Sequence, residues 1–438
     1  MPDGKFRLES KFLTDTAWNY GAFAVMAASG VILNFFIAVS FGVETLGVFN
    51  QIYAVYVISA QFAVMGFHDS AQKHTAELDD DTDRRDVVSA AAVALAVAFG
   101  FLAALVLYVL SGPIGRLFDS QPVGMGLALA SPGLMFFAVN KVLMGVLNGI
   151  RRMRAFAVAQ AFRVTAILVV CLAIGVMDKP GYMLGISFTI AEVLLLPMLL
   201  MMVRPKAEHF ANGEEFKHWL KTHFNFGSRA LINGFLAESY IRIDIVMLGI
   251  FMSDQHVGIY SFAALFVEGL YQLPVVVRTI ANPVLVRLLG SGDKLETTRF
   301  CRRVAGMSGA IFVAVAAVVL LVYPYLGPYF PDDLVALSHP LLMVLAAGLA
   351  VYSIMIPLDH ILLQAGQPGR QSLLMTVNVA LNVILNLTLI PVFGLYGAAA
   401  ATAIAFVTAS LLVNAATWQW MGYRGGVLFA GTRWMPLR

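Results

Sequence analysis

Lys141, Arg163, Arg229, Arg242 and Arg278 are bases, and Glu192, Glu238, Asp244, Glu268 and Asp359 acids, that stand inside long apolar runs, with His360 beside the last. At the centre of a membrane helix each would cost about 2.5–3.5 kcal/mol on insertion scales, so such a residue ordinarily faces a partner or a wet cavity. Guanidinium and ammonium groups in that setting attract anions, phosphate above all, which the arginine fork grips in a bidentate way. Carboxylates there take up a proton when desolvation disfavours the charged form. These ten residues are the candidates for function.

Two readings are open for most of them. Lys141, Arg163, Arg229 and Arg278 lie roughly five to nine residues from one end of their runs, within snorkelling distance of the headgroups, so they either snorkel or line one half of a cavity. Arg242 is near the middle of its run, with Glu238 four residues earlier in the orientation of an intrahelical ion pair. Asp244 points away from Arg242, and Glu268 in the next run can pair across. Cys171 lies in an apolar run and Cys301 in a basic loop, so these two separated thiols give neither a disulfide framework nor a metal site. No cofactor, metal or catalytic residue is expected.

The elements that must position these residues follow from composition. The chain is 59% hydrophobic and 13% charged, far from the make-up of soluble domains. A span needs roughly 20 apolar residues, and twelve such stretches lie near 16–41, 45–66, 87–110, 122–148, 155–177, 182–203, 225–251, 257–283, 304–326, 335–362, 370–391 and 396–420. They are too long and continuous for barrel strands, so the fold class is an all-α polytopic membrane protein. Residues 1–15 mix acids and bases and suggest no removable signal.

Of the 29 lysines and arginines, five fall inside spans and only Arg116 and Lys179 in the loops of one side; the remaining 22 face the other. That bias places both termini in the cytoplasm, and the net charge of +3 reflects topology rather than nucleic-acid binding. The acidic run Glu77–Asp86 reads as a solvated cytoplasmic loop.

The two halves look like copies. Gly47-Val48-Phe49 opens the second span and Gly258-Ile259-Tyr260 the eighth. Leu147-Asn148-Gly149 followed by Arg154 ends the fourth, and Leu363 to Gly366 followed by Arg370 ends the tenth. Six helices per half make the repeats parallel. The expected organisation is two six-helix lobes, 1–203 and 224–420, around a central cavity, joined by a cytoplasmic linker over 204–223 and followed by a tail over 421–438. Pro274, Pro283 and Pro357 are expected to kink their spans, and Tyr20, Tyr53, Tyr56, Tyr240 and Tyr271 are candidate cavity aromatics.

The second half reads Asp244-Ile245-Val246-Met247-Leu248-Gly249, then Val257 to Ser261, then Asn378, Asn382 and Asn386, then Ile390 to Thr402; the first half follows more loosely through Leu46 to Phe49 and Met65 to Phe67. That series resembles the polysaccharide and oligosaccharide flippases of the multidrug/oligosaccharidyl-lipid/polysaccharide exporter superfamily. The resemblance implies translocation of a lipid-linked oligosaccharide, usually carried on polyprenyl diphosphate, from the cytoplasmic to the outer leaflet of the bacterial inner membrane. The partners implied are that substrate and membrane lipids, with H+ or Na+ as coupling ion. Twelve spans depart from the lipid II flippases of the superfamily, which carry two more.

On that reading Lys141, Arg163, Arg229, Arg242 and Arg278 hold the diphosphate, and Glu192, Glu238, Asp244, Glu268 and Asp359 couple or gate. Asn378 and Asn382, on one helical face with Asn386, either meet sugar hydroxyls or bond between helices, a contact of roughly 0.6–2 kcal/mol. The absence of GxxxxGK[ST] argues against nucleotide hydrolysis. Two alternatives stand beside flipping: a cation-coupled multidrug antiporter of the same superfamily, and a membrane polymerase or ligase, for which the outer loops are short.

Overall fold

The computed structural model describes residues 3–78, 81–204 and 213–430. The helices are α1 Asp3–Phe41, α2 Val43–Val64, α3 Phe67–Glu77, α4 Thr82–Leu117, α5 Gln121–Ala130, α6 Gly133–Gly149, α7 Met153–Val176, α8 Ile186–Val203, α9 Gly213–Phe251, α10 Asp254–Ser291, α11 Lys294–Val322, α12 Leu334–Ser353, α13 Ile361–Gln364 and α14 Pro368–Met421, and no strand occurs among the described residues. Large apolar side chains stand exposed along them, among them Phe101, Val176, Ile280, Leu321 and Val392. A soluble protein does not present such a surface, so lipid is its solvent and the chain is a multi-pass membrane protein.

Nine helices among the described residues are long and apolar enough to cross a membrane, ten when the bent pair α5 and α6 is taken as one span. Two further helices bear on the expectation of twelve. α9 carries Arg229, Glu238, Arg242 and Asp244, which lower its hydropathy below that of a plain lipid-facing helix. α14 runs 54 residues but breaks at Gly394, whose φ of 57° and ψ of −131° are non-helical and suit glycine. An unbroken helix of that length would reach about 81 Å, so each arm about that glycine has the length of one span.

The expected stretch 122–148 also bends, by 47°, where Ser131 and Pro132 separate α5 from α6. Proline removes a backbone donor and frees carbonyls one turn earlier. Thr189 of α8 repairs the break: its hydroxyl donates to Leu129 O at 2.7 Å and accepts from Gly133 N–H at 3.1 Å. Small residues bring other helices close. A Cβ on Gly145 would lie 2.4 Å from His68 O and one on Gly149 2.6 Å from Gln72 O, so α6 rides on the backbone of α3; Gly348 meets Ala403 in the same way, fastening α12 to α14. Pro274 and Pro283 lie within α10, and Pro357 in a short 3-10 turn after α12.

The chain divides into two compact units, Met1–Arg242 with Ser253–Gln255, and Ile243–Met252 with His256–Arg438. The division falls inside α9, whereas the sequence points to a linker over 204–223, of which 205–212 lie outside the described residues. In each unit an arginine on the basic-loop side lies over a tryptophan: Arg154 over Trp18 at 4.6 Å and Arg370 over Trp420 at 5.3 Å.

Candidate functional site

In the first unit, α6, α7 and α8 bring Asn140, Arg163 and Glu192 together. Arg163 Nε lies 2.6 Å from Glu192 Oε1, and Nη2 donates to Oε2 at 3.3 Å. Glu192 is only 2% exposed. Asn140 fixes it from the other side, its Nδ2 donating to the Glu192 backbone O and to Oε2, both at 2.8 Å. The Arg163 guanidinium also sits 4.6 Å above Phe137, so one side chain is both paired and stacked.

An aromatic bed continues from there. Phe137 meets Tyr56 edge-on at 6.1 Å, and Phe188 stacks on Tyr56 at 5.0 Å and on Tyr53 at 5.6 Å. Arg242 lies 4.7 Å above Tyr53, closing the row with a second guanidinium. Lys141 stands within the field of Arg163, Glu192, Glu238 and Asp69, and no carboxylate among the described residues forms an ion pair with it. Two neutral polar atoms of this bed, the Tyr56 hydroxyl and Asn140 Oδ1, are buried without a hydrogen bond. Cations beside flat aromatic faces, with polar atoms left unsatisfied, suit an anionic, hydroxylated ligand.

The second unit holds two clusters. Asp244, 5% exposed, accepts from Asn386 Nδ2 at 2.8 Å, Thr402 Oγ1 at 2.5 Å and the Tyr260 hydroxyl at 3.1 Å. Asn386 in turn donates to Asn382 Oδ1 at 2.5 Å. No lysine or arginine among the described residues pairs with Asp244. In the other cluster Arg278 Nη1 donates to both oxygens of Asp359, at 3.1 and 2.8 Å. Tyr352 reaches the same carboxylate at 3.4 Å, and His360 Nε2 lies 3.9 Å away.

The residues expected from sequence thus separate. Lys141, Arg163, Glu192, Glu238 and Arg242 belong to the first unit; Asp244, Glu268, Arg278, Asp359, Asn378 and Asn382 to the second. Arg229 is exposed on α9, Glu268 half-buried and Asn378 buried. Tyr20 is exposed, Tyr53 and Tyr271 half-buried and Tyr56 buried; the Tyr240 side chain lies outside the described residues. Sequence reasoning missed Asn140, Phe137, Phe188, Tyr260 and Thr402. The only signal for Thr402 was its place at the end of the Ile390 to Thr402 segment, and neutral residues such as Asn140 gave none because insertion costs single out charges.

A family model described as "Polysaccharide biosynthesis protein" matches residues 41–326, more than half of the chain, and the chain belongs to that family. Among curated relatives, the probable low-salt glycan biosynthesis flippase Agl15 of Haloferax volcanii is 25% identical over 251 residues, 53% of this chain and 50% of the relative. The EPS I polysaccharide export inner membrane protein EpsE of Ralstonia nicotianae is 22% identical over 312 residues, 71% of each chain. The chain spans about half the length of Agl15. Among solved structures, the lipid II flippase MurJ in an inward closed conformation superposes with a TM-score of 0.72 at 15% identity, over 91% of this chain and 86% of that one. An inward-facing multidrug resistance MATE family transporter of the MOP superfamily gives 0.68 at 14%, over 87% and 91%. At these identities the likeness is one of fold.

Proposed function

We propose that the protein translocates a lipid-linked oligosaccharide, carried on a polyprenyl diphosphate, from the cytoplasmic to the outer leaflet of the bacterial inner membrane. The observation that carries this reading is the first unit's row of cations and aromatics. Arg242 lies over Tyr53 in the row with Tyr56 and Phe188, and Lys141 stands in the field of Arg163 and Glu192, the combination a sugar diphosphate needs. Arg163, already held by Glu192, orients the bed and adds a further positive field. The flippase names of the relatives support the same substrate class. The cation bias of the loops supports cytoplasmic termini, and the internal repeat supports twelve spans in two lobes, 1–203 and 224–420. The function is transport rather than covalent chemistry.

Asp244 is the coupling residue of this proposal. Neutral donors soften a buried carboxylate but do not cancel its charge, so the site calls for a proton or a monovalent cation. Asp359, held by Arg278, and Glu192, held by Arg163, are already balanced. Arg278, paired with Asp359, and the exposed Arg229 then serve the loading side more weakly than Lys141. Asp244 also gives the antiporter reading its foothold, and one assay separates the two. Deleting the gene is expected to trap lipid-linked oligosaccharide on the cytoplasmic leaflet and deplete surface polysaccharide. Normal surface polysaccharide with new sensitivity to cationic drugs would assign the antiporter instead.

A further inference from the structure

We propose that the buried polar face of α14, from Gln371 to Asn386, is the route by which a hydrated monovalent cation reaches Asp244 from the cytoplasmic side. The inference rests on the reading of Asp244 as the coupling carboxylate. Gln371, Asn378, Asn382 and Asn386 follow one another at seven, four and four residues, which keeps them on one helical face. Together they climb about 22 Å at 1.5 Å per residue, most of a hydrocarbon core of about 30 Å. All four are buried.

The seam is tied at both ends to carboxylate-bearing segments of the same unit. At the end near the basic loops, Gln371 Nε2 donates to Asp359 O at 2.9 Å. At the other, Asn386 Nδ2 donates to Asp244 Oδ1. Between and beside these ties, Gln371 Oε1, Asn378 Oδ1 and Asn386 Oδ1 are buried with no hydrogen-bond partner. Interiors seldom leave polar atoms unsatisfied, and each such atom asks for water or a ligand. All three are acceptors. A file of acceptor oxygens that runs from the Asp359 main-chain carbonyl to the Asp244 carboxylate accommodates water, hydronium or sodium, and repels an anion. Side chains acting only as interhelical adhesive would have these oxygens paired.

Silver ion, monovalent and thiol-reactive, probes the route directly. In the full-length protein carrying Cys171→Ser and Cys301→Ser, Asn378→Cys, Asn382→Cys and the lipid-facing control Ile384→Cys are reconstituted in vesicles and exposed to silver from the cytoplasmic side. They are then denatured and labelled with maleimide, each variant having first been shown to insert and to elute as the folded parent does. Thiols at 378 and 382 are expected to be silenced an order of magnitude faster than the thiol at 384. Sodium slowing this reaction where choline does not would assign sodium as the traveller; equal rates in both would assign the proton. Thiols at 378 and 382 no faster than at 384 would overturn the route, even if Asp244→Asn abolished transport. Full transport by Asp244→Asn would instead end the coupling reading and leave the silver result standing.

Discussion

Lys141 and Arg163 stand in one field yet do different work. Lys141 has no described ion-pair partner, and a charge-assisted hydrogen bond to a ligand is worth about 1.5–3 kcal/mol. Lys141→Gln is therefore expected to lower transport by at least about tenfold while leaving the melting temperature in detergent nearly unchanged. Glu192→Gln strands the half-buried Arg163 guanidinium, where breaking a fully buried pair ordinarily costs about 3–5 kcal/mol, and should show first as lost thermal stability, measured by unfolding of the purified protein. A transport defect in Lys141→Gln with an equal loss of stability would show that the lysine is structural. The charges were legible in sequence because membranes make every charge conspicuous. What each charge does was not legible: whether Arg163 is paired depends on α7 meeting α8, and Arg278 finds Asp359 across 81 residues.

At the scale of elements, α9 is fastened to α3 and α4 by one imidazole just before the expected span of 225–251. His223 is buried, with Nδ1 sharing a hydrogen bond with Ser70 Oγ at 2.8 Å and Nε2 with Val88 O at 3.0 Å. Burial pushes its pKa down to about 4, so the folded state keeps it neutral where the unfolded chain, near 6.5, takes a proton. The stability it supports is therefore full above about pH 6.5 and falls as pH drops toward 4. Thermal scans should show that decline, and His223→Gln should flatten part of it; an unchanged slope would remove His223 from the account. The break between α5 and α6 makes a second prediction. Thr189→Val removes the donor to Leu129 O and the acceptor for Gly133 N–H, and should cost about 1–3 kcal/mol in the same measurement. Span positions followed from apolar length alone. The bend needed a proline to meet a threonine from a third helix, and 122–148 reads in sequence as one unbroken stretch.

At the scale of the whole molecule, orientation and span number make one joint prediction. Cys171 and Cys301 are both buried, so single surface cysteines can be introduced over a quiet background. Asp119→Cys and Phe393→Cys are expected to react with an impermeant maleimide added to intact cells, and Ser291→Cys only after the cells are opened. A Phe393→Cys protein labelled only from inside would mean that α14 does not turn back at Gly394, and the count of twelve would fall. The loop charges argue for this topology because the bias involves nearly every lysine and arginine outside the spans. Contacts divide the chain within α9, a helix whose sequence reads as continuous and carries no mark of that division.

The stacking of Arg154 on Trp18 and of Arg370 on Trp420 supplies each unit with an optical float. Indole emission shifts with the polarity around the ring, and brominated acyl chains extinguish it according to depth. With the other three of the five tryptophans changed to phenylalanine, Trp18 and Trp420 would register how far each rim sinks or lifts as bilayer thickness is varied, without any attached dye.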